Sequence, residues 1–156
     1  MLNILALNTL NIILPFLNSI NKKWCLIGTT SLILHGLERE SDEIYILVDS
    51  EGARKLDQYM GNFKVPVNNF LPDNLLTEIN QYEIGGTQVR ILSNLRVKIS
   101  DTWVKLTETI KNLEIFNFNG YRVFIPSLSD QQKISRIFGQ EKDILQAEKI
   151  LSFIKE

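Results

Sequence analysis

Residues 24–48 alternate between strand-like and helix-like segments, which limits the kind of fold that this chain can adopt. An apolar run from Trp24 to Gly28 predicts a short buried strand, and Thr29 to His35 predicts a helix that ends at Gly36. A charged loop follows, and Ile44 to Val48 predicts a second apolar strand. Because a glycine leaves the backbone open and a helix N-terminus presents free N–H groups, this order of elements is typical of a phosphate-handling site.

The rest of the chain predicts further helices and two hairpins. Asp49 or Ser50 caps a helix to about Met60, and the [ST]-x-x-[DE] form of residues 127–130 caps another to about Phe138. The runs YEI and TQVRILS flank two glycines, and LEIFNF and YRVFIP flank an Asn-Gly pair, so each pair of runs predicts a hairpin. The other predicted helices cover residues 1–20, 73–80, 103–112 and 142–156.

This order of elements predicts one α/β (α+β) domain over residues 1–156, with a small mixed β-sheet flanked by helices. The composition fits a soluble globular protein, with 44% hydrophobic and 22% charged residues. Lys and Arg number 17 against 18 Asp and Glu, so general nucleic-acid binding and binding to anionic membranes are not expected. One cysteine and one histidine exclude an internal disulfide and a zinc site of the usual His/Cys kind.

The first twenty residues are apolar but contain asparagine at positions 3, 8, 11 and 18. On a helical wheel these asparagines fall within roughly 140° of one another, which indicates an amphipathic helix with a wide apolar face. Such a face suggests burial by the domain on one side and leaves room for a partner subunit on the other. The segment has no basic start and no small-residue cleavage pattern, so a cytoplasmic protein with no membrane contact is expected.

The segment from Leu26 to Val48 resembles the signature of the nucleotidyltransferase superfamily, whose palm is like that of polymerase β. That signature reads roughly hGGxxxxxHGxxRxTxDhDhhh, where h is apolar. Gly28, His35-Gly36 and Arg39 stand in register with it, as do Ser41 in place of Thr and the apolar residues of the second strand. The closing segment is also similar, since a strand and proline lead to a helix and then to Lys142-Asp143. The resemblance implies a minimal nucleotidyltransferase fold.

The residues that would hold catalytic metals in that superfamily are changed here. Thr29 stands in place of the second glycine, and the two metal-binding aspartates correspond to Glu43 and Tyr45. The third carboxylate would fall near Arg90, whose charge repels a divalent cation. Two-metal phosphoryl transfer needs several carboxylates to hold its cations. No metal site and no cofactor are therefore expected, and Glu43 is the one candidate catalytic carboxylate.

Most of the other candidate binding residues have two interpretations. The hydroxyls of Thr29, Thr30 and Ser31 would bind an anion at the helix N-terminus, or one of them would simply cap the helix. Arg39 would contact a phosphate or form a surface ion pair. Tyr45 would contact a ligand or fill the space that an aspartate and its metals leave.

Two further residues that match the superfamily have similar alternatives. Lys142, with Asp143, would line a pocket or form a charged first helical turn. His35 is expected to end its helix and not to act as a base.

Three functions are consistent with these residues. The first is a catalytically inactive nucleotide-sensing or protein-binding module of a regulatory or antitoxin-like kind, with a helical partner protein as the superfamily implies. The second is an active Mg²⁺-dependent nucleotidyltransferase with a site rebuilt around Glu43. The third is a structural homodimer that binds no ligand and associates through its first helix.

Overall fold

A computed structural model describes residues 4–37, 41–67 and 72–155 of the chain. The α-helices are α1 (Ile4–Ser19), α2 (Thr29–Leu34), α3 (Ser50–Met60), α4 (Leu128–Phe138) and α5 (Glu141–Lys155). The strands are β1 (Trp24–Ile27), β2 (Glu43–Val48), β3 (Lys64–Val65), β4 (Leu75–Ile84), β5 (Thr87–Ile99), β6 (Thr102–Lys105), β7 (Leu113–Phe118) and β8 (Tyr121–Pro126). Short 3₁₀ helices cover Gly61–Phe63 and Leu106–Thr109.

Six strands form a mixed sheet in the order β1-β2-β5-β4-β3, with β6 pairing on β5. Strands β2 and β5 are parallel, whereas β1–β2, β4–β5, β3–β4 and β5–β6 are antiparallel. Strands β7 and β8 form a separate hairpin, which contacts the sheet where the rings of Trp24 and Phe124 meet edge to face, 5.3 Å apart. The predicted mixed α+β architecture with a small mixed sheet is confirmed.

Strand β2 presents different residues to the two faces of the sheet because successive side chains alternate. Ile44, Ile46 and Val48 belong to a core shared with α1 and α3. Tyr45 and Leu47 face the opposite side, where a second core includes residues of β5 and α4. The sheet therefore separates two hydrophobic cores.

The second core also contains Cys25, which is buried and forms no disulfide. Burial raises the pKa of its thiol to about 12, so this cysteine behaves as a small core residue and not as a reactive thiolate.

Several predicted boundaries are confirmed by local geometry. The Asp49 carboxylate accepts a hydrogen bond of 2.6 Å from the N–H of Gly52, and the Ser127 hydroxyl accepts one of 3.2 Å from the N–H of Asp130. The Asn-Gly turn between β7 and β8 has φ angles of 51° and 85° at its two central residues, as a type I′ turn requires. The predicted hairpin at the two glycines of residues 85–86 is also confirmed.

Two predicted helices are wrong. Residues 73–80 belong mainly to β4, and residues 103–112 contain part of β6 and a 3₁₀ helix. In both places the segment pairs with β5, and the ladder of hydrogen bonds along that long strand outweighs the local helical pattern. The turn at Ser100-Asp101, with φ angles of 49° and 64°, returns β6 onto β5.

Helix α1 packs on the sheet through buried apolar side chains, including Leu10, Ile13, Leu14 and Leu17. Its opposite side leaves Ile12 exposed at 45%. The expected contact between this helix and a partner subunit stays a prediction. Within the described residues, no helix has the length and apolar character needed to cross a membrane.

Replacing the buried Tyr82 by phenylalanine should destabilise the fold in a pH-dependent way. The Tyr82 hydroxyl donates a hydrogen bond of 2.6 Å to the carboxylate of Asp57. This bond, together with Lys64 at 3.2 Å, holds the pKa of Asp57 below its usual value of 3.8. We expect Tyr82→Phe to lower the free energy of unfolding by about 1.5–3 kcal/mol at neutral pH, measured by urea denaturation.

A group whose pKa is depressed by folding adds stability above its unfolded pKa, and that stability is lost as the pH falls through the folded pKa. The cost of Tyr82→Phe should therefore shrink as the pH falls below about 4. Tyr121→Phe, at a tyrosine that is 36% exposed, is the matched control. An equal decrease in the free energy of unfolding for the two variants would contradict this account. So would a decrease for Tyr82→Phe that does not change with pH.

Candidate functional site

A cavity of about 610 Å³ lies between the sheet and helices α4 and α5. Its volume is within the range typical of small-molecule sites. Its lining includes seven residues that the sequence singled out: Gly28, Thr29, Glu43, Tyr45, Arg90, Lys142 and Asp143. They come from the β1–α2 turn, from β2 and β5, and from the start of α5, so the fold brings together residues as distant in the sequence as Gly28 and Asp143.

The parallel register of β2 and β5 places Tyr45 beside Arg90 and Glu43 beside Gln88. The Tyr45 hydroxyl donates a hydrogen bond of 2.6 Å to Oε2 of Glu43 and accepts one of 2.9 Å from Nη1 of Arg90. We call these three residues the Arg90–Tyr45–Glu43 chain. A second bond of 3.2 Å, from Nε of Arg90 to Oε1 of Gln81, holds the guanidinium from the β4 side.

The hydroxyl of Tyr45 stays protonated at neutral pH. Burial raises its pKa first, and the hydrogen bond and charge of Glu43 raise it further, to about 12, although Arg90 acts in the opposite direction. A protonated phenol donates to the carboxylate and accepts from the guanidinium at the same time. Tyr45 therefore links the two charged groups without being charged itself.

The hydroxyls after Gly28 are not equivalent. Gly28 is the N-cap residue of α2, with a φ of 80°, and no side chain caps the helix, so the capping alternative for these hydroxyls is wrong. The buried Thr30 hydroxyl donates to the carbonyl oxygen of Glu43 at 2.6 Å. The buried Ser31 hydroxyl lies 2.6 Å from the carbonyl oxygen of Gly28 and 2.9 Å from Oε1 of Gln131. Of the three, Thr29 lines the cavity.

Gly28 also lies close to the ring of Tyr45. A Cβ atom at this position would lie 3.1 Å from Cδ2 of that ring, and the positive φ disfavours any other residue. The glycine thus makes room for the tyrosine on the neighbouring strand.

The remaining predicted residues fall in different places. Lys142 and Asp143 both line the cavity, and the Asp143 carboxylate also accepts a hydrogen bond of 3.2 Å from the N–H of Gln140. Both interpretations of the pair, as pocket lining and as a polar first turn, therefore describe part of what these residues do. Arg39 lies outside the described residues.

His35 is the C-cap residue of α2, as predicted. Its Nε2 lies 2.9 Å from the carbonyl oxygen of Pro126, and its side chain is only 6% exposed. This histidine therefore ties α2 to the end of β8 and does not line the cavity.

The sequence matches no protein-family model, and no curated protein matches it significantly. Three solved structures share its fold. A Thermotoga maritima protein, whose assignment as a nucleotidyltransferase is itself provisional, is 22% identical over 99% of this chain and 96% of its own, with a TM-score of 0.78. The lincosamide antibiotic adenylyltransferase LnuA, bound to lincomycin, is 12% identical over 93% of this chain and 96% of its own, with a TM-score of 0.63. The antibiotic-resistance factor ANT(2'')-Ia is 10% identical over 98% of this chain and 86% of its own, with a TM-score of 0.61.

The chain has a nucleotidyltransferase-like fold. Since each of these structures is less than 25% identical in sequence, the likeness concerns the fold. The likeness by itself assigns no chemistry to the cavity.

The cavity does not fit the magnesium ions that the nucleotidyltransferase superfamily implies. Its lining carboxylates in the described parts of the chain are Glu43 and Asp143, on opposite walls. Residues 4–37, 41–67 and 72–155 contain no group of three or more His, Cys, Asp or Glu side chains that could hold a metal. A guanidinium also lies beside Tyr45, where it would repel a divalent cation.

Two parts of this site were not found from the sequence. Gln81 adjoins the segment predicted as a helix, although the β-branched and aromatic residues of TEINQYEI favour the strand that places it beside Arg90. Helices α4 and α5 supply a wall with Ser135 and Gln146, joined by a hydrogen bond of 3.0 Å. No local pattern marks these two as cavity residues, since their position depends on how the helices pack.

The pKa of Tyr45 should report on its charged neighbours. Glu43→Gln should lower the pKa from about 12, because the variant removes the negative charge that disfavours the phenolate. Arg90→Gln should raise it, because the favourable cation is lost. The measurement is a pH titration of ¹³Cζ-labelled tyrosine by NMR, with Tyr45→Phe used to assign the signal among four tyrosines.

The control for these variants is Glu148→Gln, at an exposed carboxylate of α5 outside the cavity lining. It should leave the Tyr45 titration unchanged. Shifts of the same sign in Glu43→Gln and Arg90→Gln would contradict the described geometry.

Proposed function

We propose that this protein is a catalytically inactive nucleotidyltransferase-fold module that binds a nucleotide without a metal ion and acts as a nucleotide sensor. The observation that carries this proposal is the Arg90–Tyr45–Glu43 chain. In a metal-dependent enzyme, carboxylates hold cations that neutralise the phosphates. Here a fixed guanidinium supplies positive charge directly.

Arg90 is held in a way that suits phosphate binding. Its bonds to Tyr45 and Gln81 use two of the five N–H donors of the guanidinium. The other donors remain for an anion in the cavity, and a planar guanidinium matches the oxygens of a phosphate. Because the side chain is already positioned, less conformational entropy is lost when a ligand binds.

The other wall supports the same ligand. Lys142 brings a second cation from the start of α5, and Gly28 and Thr29 expose the backbone turn before α2. A nucleotide whose phosphate binds Arg90 and whose other end reaches the helices near Lys142 would bridge the sheet and the closing helices. Binding would then stabilise the packing of α5, and a protein partner that recognises this helix would provide the sensor's output.

The alternative of an active Mg²⁺-dependent nucleotidyltransferase rests on Glu43. That carboxylate already accepts the Tyr45 hydroxyl, and no second carboxylate of the described residues lies on the same wall of the cavity. An active site would require both the tyrosine and the arginine to move away. The geometry therefore favours the inactive sensor.

Metal-independent binding can be measured by thermal shift and calorimetry with ATP, GTP, CTP, UTP and their monophosphates, in Mg²⁺ and in chelator. A ligand at a hundred times its Kd stabilises the fold by about 2.7 kcal/mol. We expect at least one nucleotide to bind equally well in both conditions. Arg90→Gln should weaken that binding by about 10- to 100-fold, because a charged hydrogen bond is lost.

Arg96→Gln is the matched control, since Arg96 is an exposed arginine of the same strand that does not line the cavity. It should bind the nucleotide like the parent protein. Binding that requires Mg²⁺ and is lost in Glu43→Ala would favour the active enzyme instead. The absence of binding by any nucleotide would refute the sensor.

A metal site should be obtained by placing carboxylates at two of the three changed positions, 45 and 90. The double variant Tyr45→Asp with Arg90→Asp would place two new carboxylates beside Glu43, on adjacent parallel strands. We expect this variant to bind Mn²⁺ with a Kd in the range of about 10–1000 μM, whereas the parent protein should not bind it. Titration followed by electron paramagnetic resonance gives the Kd, and equal Mn²⁺ binding by both proteins would show that the parent cavity already holds metal.

A further inference from the structure

We infer that the ligand of this cavity is a phosphate monoester on a flat ring system, such as a nucleoside monophosphate, and not a nucleoside triphosphate. This inference rests on the proposed metal-independent binding of a nucleotide. It comes from the charges of the lining residues and from two regions of the cavity. One is the polar corner formed by Arg90, Tyr45 and Glu43, and the other is an apolar floor on the sheet.

The charges of the lining residues limit the charge of the ligand. Among the described residues, Arg90 and Lys142 are the lining cations and Glu43 and Asp143 are the lining carboxylates, so the formal charges cancel. A phosphate monoester carries about 1.5–2 negative charges at neutral pH, and each further phosphate adds about one more. Without a metal ion, a triphosphate would leave most of its charge uncompensated.

The position of the charges strengthens this limit. The Glu43 carboxylate is covered on one oxygen by the Tyr45 hydroxyl, which reduces its effect on a phosphate bound at Arg90. At the other wall, Lys142 is followed directly by Asp143, which also lines the cavity. A chain of phosphates that extended from Arg90 towards α5 would therefore meet a cation and an anion together. A single phosphate at Arg90 avoids this repulsion.

The cavity is much larger than a phosphate needs, and much of its lining on the sheet side is apolar. The floor is formed by strands of the sheet and by two residues of α4: Ile27, Leu75, Ile79, Leu92, Leu95, Ile134 and Phe138. Burial of a ring system against this floor is favourable, whereas a polyphosphate would lose its hydration there without gaining partners. The two parts of the cavity match a ligand with one anionic group and one apolar body.

Isothermal titration calorimetry in chelator tests this ligand class. The four nucleoside monophosphates identify the preferred base, and the mono-, di- and triphosphate of that base are then compared. We expect the monophosphate to bind most tightly and each added phosphate to weaken binding by about tenfold, because its charge is not compensated. The nucleoside alone and ribose 5-phosphate should each bind at least about tenfold more weakly than the monophosphate, because each lacks one half of the ligand.

The variant Asp143→Asn separates the charge effect from a loss of structure. An asparagine oxygen can still accept the hydrogen bond from the N–H of Gln140. Removing this carboxylate should reduce the preference for the monophosphate over the triphosphate by about tenfold, mainly through tighter triphosphate binding. Glu148→Gln removes an exposed carboxylate of the same helix outside the cavity lining, and it should leave the preference unchanged.

The outcomes distinguish the inference from the proposed function. If the triphosphate binds as tightly as the monophosphate in chelator, the inference is wrong and the metal-independent sensor stands. If the nucleoside binds as tightly as its monophosphate, the assignment of the phosphate to Arg90 is wrong. If no nucleotide of any phosphate length binds in chelator, both the inference and the proposed function are wrong.

Discussion

Strands β2 and β5 pair in parallel, and their register sets Tyr45 directly beside Arg90. Neighbouring strands lie about 4.8 Å apart, so two long side chains on the same face of the sheet must contact each other. In this protein the contact is a hydrogen bond, and it continues to Glu43 on one side and to Gln81 on the other. The positions of the charged and polar groups in this corner of the cavity therefore depend on the pairing of β2 with β5.

A metal ion and an arginine neutralise phosphate in different ways. A bound Mg²⁺ keeps near-ideal octahedral geometry and several of its waters, and its occupancy depends on its concentration. A guanidinium held by two hydrogen bonds is always present and charged, and its donors are fixed in a plane. A site built on Arg90 would therefore respond to the concentration of its ligand alone, which is a useful property in a sensor.

Much of the fold and part of the site could be predicted from the sequence, and the failures have a common cause. Local signals were sufficient at the caps formed by Asp49 and Ser127, and at the Asn-Gly turn after β7. They failed at residues 73–80 and 103–112, where pairing with β5 decides the structure. Likewise, Glu43, Tyr45 and Arg90 were found through an ordered motif, whereas Gln81 and the α4–α5 wall depend on contacts between distant segments.

The alternation along β2 has a consequence for how such a protein can change over generations. Ile44, Ile46 and Val48 hold the sheet against α1 and α3, whereas Glu43 and Tyr45 face the cavity. A substitution at position 45 or 90 therefore leaves that hydrophobic core intact. An exchange of metal-binding carboxylates for a tyrosine and an arginine, or the reverse, would act on the cavity and on the second core that Tyr45 contacts, and not on the packing of α1 and α3. The chemistry of the cavity can therefore change while the packing that holds α1 and α3 on the sheet stays the same.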